Sequence, residues 1–232
     1  MKKTLSVTNL LILVNVLFYG YETIAGTAPG DRNLAGYFST FVSGPQVNNA
    51  GLIALGALSG IAVLHGEWWR IVTGAFLHAF LLHIAMNMFA LYQLGTYLES
   101  AIGRWRMLAI YTVSLFGAGY AVVFFAPYDV TVGASGAIYG LFGALIAIGV
   151  RLGARGRALI GQMVPVLAIN LAFTFAVPQI SKAGHVGGLI SGFLAGLIFF
   201  AMRAQPRAPV VVDRATGVAT EAELLEPETP HA

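Results

Sequence analysis

Residues Gly133 to Gly143 read GASGAIYGLFG, with one serine, Ser135, set among glycines at the head of an uncharged run that continues to Val150 and stops at Arg151. A run of that length forms a helix that crosses most of a bilayer. Gly136, Gly140 and Ala144 recur at intervals of four, giving a small-residue face along which a second helix backbone can approach closely. Taken alone, such a serine reads as packing. Its meaning depends on which other polar groups lie at its depth.

The surrounding chain is that of a membrane protein. Its 232 residues are 57% hydrophobic and only 10% charged, and mean hydropathy is +0.77, too apolar for a soluble domain of this size. The net charge of +3 sits in short basic clusters between apolar runs. These are topology signals and not a nucleic-acid face. Cysteine is absent, which removes disulfides, thiolate metal sites and cysteine nucleophiles together.

Outward from Ser135, five further apolar segments read as spans. The first runs from Thr4 to Tyr21. A signal-peptide reading of this start is weakened by Asn9 and Asn15 in its apolar middle and by Tyr21 and Glu22 at the cleavage region. Between Thr23 and Arg70 lies a segment rich in Gly, Asn and Pro. Its one apolar stretch, Leu52 to Leu64, is too short to cross and reads as a membrane-inserted loop closed by Trp68, Trp69 and Arg70. The uncharged run Ile71 to Leu98 combines a surface lead-in with a second span ending at Glu99. The remaining spans are Met107 to Ala126, Ala158 to Val177, which Pro165 is expected to bend, and Ala183 to Met202. The expected architecture is therefore an all-α, six-span membrane bundle over residues 1–203, followed by a disordered cytoplasmic tail over 204–232.

Basic residues set the orientation. With the amino terminus cytoplasmic, ten of them fall inside and only Arg32, Arg70 and Lys182 outside, so both termini are expected in the cytoplasm. At 1.5 Å of rise per residue, Ser135, His83 and His185 stand roughly 24, 24 and 27 Å above the inner face of a core about 30 Å thick. Asn87 lies one turn below His83 on the same face, and His78 comes out at the outer surface. Three polar groups on three spans thus share one level.

A nucleophile, a base and extra donors at one depth are the components of acyl transfer. Serine needs a base to take its proton, and His185 is at the right level. Glu22 and Glu99 fall at span ends and Asp129 in an outer loop, so a Ser-His dyad is expected, with the Tyr139 ring on the serine's helix face and stacked on the imidazole. His83, Asn87 and the Ser135 backbone N–H are the candidate oxyanion donors. Gly188, Gly192 and Gly196 continue in phase with His185 and mirror the glycine stripe of Ser135's helix. Intramembrane carboxylates and internal symmetry, the marks of a transporter, are missing, and the histidines lack the HExxH spacing of a zinc protease.

These motifs resemble the rhomboid family of intramembrane serine proteases. The resemblance rests on Trp69 and Arg70, HAFLLHIAMN from His78 to Asn87, Glu99 with Gly103, GASGAIYG from Gly133 to Gly140, and GHVGGLISG from Gly184 to Gly192. It implies the six-span rhomboid bundle with a membrane-inserted loop between helices 1 and 2. It also implies Ser135 as nucleophile, His185 as base, and His83, Asn87 and Ser135 at the oxyanion. Tyr139, Gly133, Gly136, His78 and Gly188 support the site, and Trp69 and Arg70 hold the inserted loop. By the same resemblance, the fifth span and the loop Pro178 to Ala183 form a substrate gate, and no cofactor or metal is needed. The implied partners are the lipid bilayer and single-span or other transmembrane protein substrates, and the implied location is a bacterial cytoplasmic membrane. The alternative is a proteolytically inactive rhomboid-like protein that binds membrane clients.

Overall fold

The computed structural model describes residues 6–44, 49–201, 210–212 and 219–221. It divides into Met1–Ala201 and Met202–Ala232. In the first unit, helix α1 (Val7–Gly26) starts at an N-cap, Ser6, whose hydroxyl accepts from the Asn9 N–H. It continues past the expected end at Tyr21 and so takes Glu22 into the helix, where the side chain is fully enclosed. This corrects the expectation that no carboxylate lies within a span. Charge alone marks Glu22 as a boundary, but its two carboxylate oxygens have a partner, the backbone N–H of His78, at 3.0 and 2.9 Å.

The segment expected to form the inserted loop consists of short pieces. These are a single turn Pro29–Asp31, α2 (Leu34–Ser43), α3 (Asn49–Leu55), strand β1 (Leu58–Ser59), α4 (Gly60–Leu64) and α5 (Arg70–Gly74). The long helices follow: α6 (Leu81–Ile102), α7 (Arg104–Phe125), strand β2 (Val130–Thr131), α8 (Ser135–Arg151), α9 (Arg157–Ala176) and α10 (Lys182–Ala201). The last four long helices begin and end within three residues of the expected spans, because arginines and Gly, Pro or Asp clusters punctuate the chain there. Helix α9 runs unbroken through Pro165. Among the described residues of this unit the strands are β1 and β2, two residues each, and the bundle is all-α.

Among the described residues, four helices are long and apolar enough to cross a membrane: α1, α7, α9 with its preceding turn, and α10. Helix α8 is shorter at 17 residues. Helix α6 has 22 residues but carries His83, Asn87, Gln93 and Glu99. The outer faces show large apolar side chains such as Phe124, Phe125, Ile169 and Phe173, as expected where lipid is the solvent. The protein is an integral membrane protein.

Helix α8 sits at the centre, with α10 and α7 against it and α6 and α9 alongside. Its glycine stripe meets that of α10 backbone to backbone. A Cβ at Gly188 would fall on the Gly136 carbonyl oxygen, one at Gly192 on the Gly140 backbone, and one at Gly196 only 2.7 Å from Ala144 Cα. Only glycine permits this approach.

Two further devices fix the bundle around the site. Glu99 accepts hydrogen bonds from the Val7 and Thr8 amides and from the Ser6 and Thr8 hydroxyls at 2.7–3.1 Å, so a carboxylate of α6 satisfies the electropositive start of α1. On the other side, β1 pairs antiparallel with β2, Ile61 N–H donates to the Pro127 carbonyl, and Arg70 donates to the carbonyls of Ile53 and Ala57 while its Nε meets Glu67 at 2.6 Å. The loop between α1 and α6 is thereby tied to the loop that leads into Ser135.

Most of the tail expected to be disordered lies outside the described residues. Among those described, β3 (Val210–Val212) pairs antiparallel with β4 (Ala219–Glu221), and the β-branched run Val210, Val211 and Val212 suits a strand.

Candidate active site

Ser135 opens α8, so its side chain and backbone N–H both sit at the first turn, where amides have no intrahelical acceptor. His185 lies in the first turn of α10, whose start is set by Ser181. The Ser181 hydroxyl accepts from Gly184 N–H at 3.2 Å and its carbonyl from His185 N–H at 3.1 Å. Because the glycine stripes draw α8 and α10 together, His185 Nε2 lies 2.8 Å from Ser135 Oγ. A hydroxyl hydrogen-bonded to an imidazole nitrogen is placed to hand over its proton. Tyr139, one turn along α8 from Ser135, stacks its ring on the imidazole with centroids 4.1 Å apart and an interplanar angle of 18°.

The other face of His185 meets a residue that sequence reasoning passed over. Thr174 of α9 places its Oγ1 2.8 Å from His185 Nδ1, 2.7 Å from the Tyr139 hydroxyl and 2.9 Å from the Asn170 carbonyl. A threonine on an apolar helix reads as packing. The only available signal is its place three residues before the span's end at Val177, close to the level of Ser135.

Gly133 has φ +115°, a conformation L side chains rarely adopt, and its N–H donates to the Gly74 carbonyl at 2.9 Å. A Cβ there would stand 2.8 Å from His83 Cε1 and 2.9 Å from its Nε2. The glycine therefore leaves room for the His83 ring directly beside the serine. His83 Nδ1 lies 3.4 Å from the Ala79 N–H, an arrangement that leaves Nε2 as the donor nitrogen on the side of Gly133. Asn87, buried one turn below, donates one amide hydrogen to the His83 carbonyl at 2.9 Å and keeps a second in reserve. Gly136 packs against Ala118 and Gly184, and Gly188 against Gly136.

The remaining predicted residues stand behind this group. His78, expected by depth at the outer surface, is wholly enclosed by protein. Its ring meets that of His83 at 5.1 Å, and its Nδ1 lies 3.2 Å from the Phe76 carbonyl. Burial, helped by the neighbouring His83, pushes its pKa down to about 3, so the ring is neutral. Arg70 serves the loop as described above, and Trp69 is exposed beside it. A cavity reaches Ser135 and His185 between Gly74, Thr131, Gly133 and Ser181.

A family model described as Rhomboid domain matches residues 65–202. The rhomboid protease GluP of Bacillus subtilis (strain 168) is 38% identical over 160 residues, covering 68% of this chain and 31% of that protein. RHOMBOID-like protein 1 of Arabidopsis thaliana is 30% identical over 202 residues, 82% of this chain and 52% of that protein. RHOMBOID-like protein 2 of the same plant is 30% identical over 203 residues, 83% and 64% respectively. The chain thus spans about a third of the first of these relatives and about half to two thirds of the other two.

Proposed function

The chain belongs to the rhomboid family, and on that footing we propose that it is an intramembrane serine endopeptidase with a Ser135–His185 dyad. The observation that carries the reading is the 2.8 Å hydrogen bond between Ser135 Oγ and His185 Nε2. His185 takes the serine proton as Oγ attacks the scissile carbonyl carbon, and the carbonyl π electrons move onto its oxygen. His83, Asn87 and the Ser135 N–H receive that oxyanion. The protonated imidazole, stacked on Tyr139, then gives its proton to the leaving amine, and water hydrolyses the acyl-enzyme by the same steps.

In this reading six helices cross the bilayer: α1, α6, α7, α8, α9 and α10. Helix α8 is roughly 25 Å long, so with Arg151 at the inner boundary its serine end stops short of the far side of a core about 30 Å thick. The site is therefore sunk below the outer headgroups and reached by water through the cavity beside Ser135. The substrates are transmembrane proteins cut near the outer end of a span, in stretches of small or helix-breaking residues. The membrane is a bacterial cytoplasmic one, with both termini inside.

The test is cleavage of a labelled single-span substrate in lipid vesicles by the wild type, Ser135→Ala and His185→Ala. Cleavage near the substrate's outer boundary by the wild type alone supports the dyad. A wild type that neither cleaves nor takes a fluorophosphonate on Ser135 overturns it and favours a client-binding role.

A further inference from the structure

Thr174 is 1% exposed and its hydroxyl meets three partners, yet a hydroxyl has one proton and two lone pairs. The Asn170 carbonyl can only accept, so a bond at 2.9 Å to it uses the threonine proton. Both lone pairs are then left to accept, one from the Tyr139 O–H and one from His185 Nδ1–H. The proton of the neutral imidazole therefore sits on Nδ1, and the Nε2 lone pair faces Ser135 Oγ. The opposite tautomer requires Thr174 to donate to Nδ1. It leaves the Thr174 and Asn170 oxygens 2.9 Å apart with no proton between them, and the network with one bond fewer.

We infer that Thr174 is a positioning residue that holds His185 in the Nδ1–H tautomer, the one form in which Nε2 is a base toward Ser135. A neutral hydroxyl, itself oriented by Asn170 and Tyr139, does at Nδ1 what a carboxylate does in a serine triad. When Nε2 takes the serine proton, Nδ1–H stays on Thr174, so the network serves the imidazolium without rearranging. This inference rests on the Ser-His reading for its kinetic part and on hydrogen-bond chemistry alone for its tautomer part.

The experiment uses the full chain in detergent micelles with 15N-labelled histidine, the His185 signals being identified by their loss in His185→Ala. The wild type is expected to show a protonated Nδ1 and an unprotonated Nε2. Thr174→Val, which keeps the shape and loses the hydroxyl, is expected to shift toward the Nε2–H form. Its kcat is expected to fall by about tenfold or more at nearly unchanged KM, and Thr174→Ser should restore both tautomer and rate to within about threefold. A wild type already in the Nε2–H form overturns the inference, as does a Thr174→Val protein with wild-type spectrum and kcat. If the wild type shows the Nδ1–H form but cleaves nothing, the protease reading fails while the tautomer assignment stands.

Discussion

Replacing Gly188 with alanine adds one methyl group close to the proposed catalytic pair, Ser135 and His185, and touches neither member of it. The new Cβ would meet the Gly136 carbonyl group, with its carbon at 2.7 Å, where ordinary contact begins at 3.4 Å. Both obstacles are backbone and the carbonyl oxygen is the nearer, so no side chain can swing aside, and the α8 and α10 backbones must part by more than about 1 Å. Gly136 adjoins Ser135, and Gly188 is one turn from His185, so the parting falls on the hydrogen bond between them. Added to 2.8 Å, it takes the Oγ–Nε2 distance past about 3.5 Å, outside hydrogen bonding. Loss of general-base assistance is expected to lower kcat by about 10²-fold. The assay is the rate of fluorophosphonate labelling at Ser135 together with cleavage of a single-span substrate in vesicles. Gly161→Ala is the matched control, since a Cβ there meets nothing within 4 Å, and should behave as wild type. Labelling of Gly188→Ala at the wild-type rate would refute the argument that glycine contact sets the Ser-His distance.

Two more outcomes are expected. Asn87→Ala should lower kcat by about 10²–10³-fold with KM little changed, measured by substrate cleavage in vesicles; an equal rise in KM with kcat intact would place Asn87 in substrate binding instead. His78, neutral in the folded protein down to about pH 3, takes up a proton in the unfolded chain below about pH 6.5. Stability should therefore fall with decreasing pH across that window more steeply than in His78→Phe, as measured by reversible unfolding in mixed micelles.

The bundle was legible in the sequence because arginine clusters and long apolar runs bound helices on a one-dimensional scale that also measures depth. Counting along that scale puts Ser135 and His185 at one level, and the glycine stripes give their helices a reason to touch. Depth says nothing about azimuth, however, and this is where reading stops. Thr174 acquires its meaning only when α9 is rotated so that its hydroxyl faces His185, and nothing in AFTFAV marks that face. Glu22 looked like the end of a span because a carboxylate is costly in a membrane. It is inside because an amide 56 residues later, that of His78, folds back to meet it. The hydrogen bonds that join the α1–α6 loop to the approach to Ser135 are likewise made between segments whose sequences carry no pairing signal.

Helix α9 buries only Leu167 and Thr174. The serine and histidine helices, by contrast, are bolted together along their glycines. On the proposed role of Thr174, displacing α9 sideways would take its hydroxyl off Nδ1 and leave the glycine contact of α8 with α10 in place. On that reading the arrangement is a safety catch: the Ser135–His185 pair stays aligned, and the base is armed only while α9 is home.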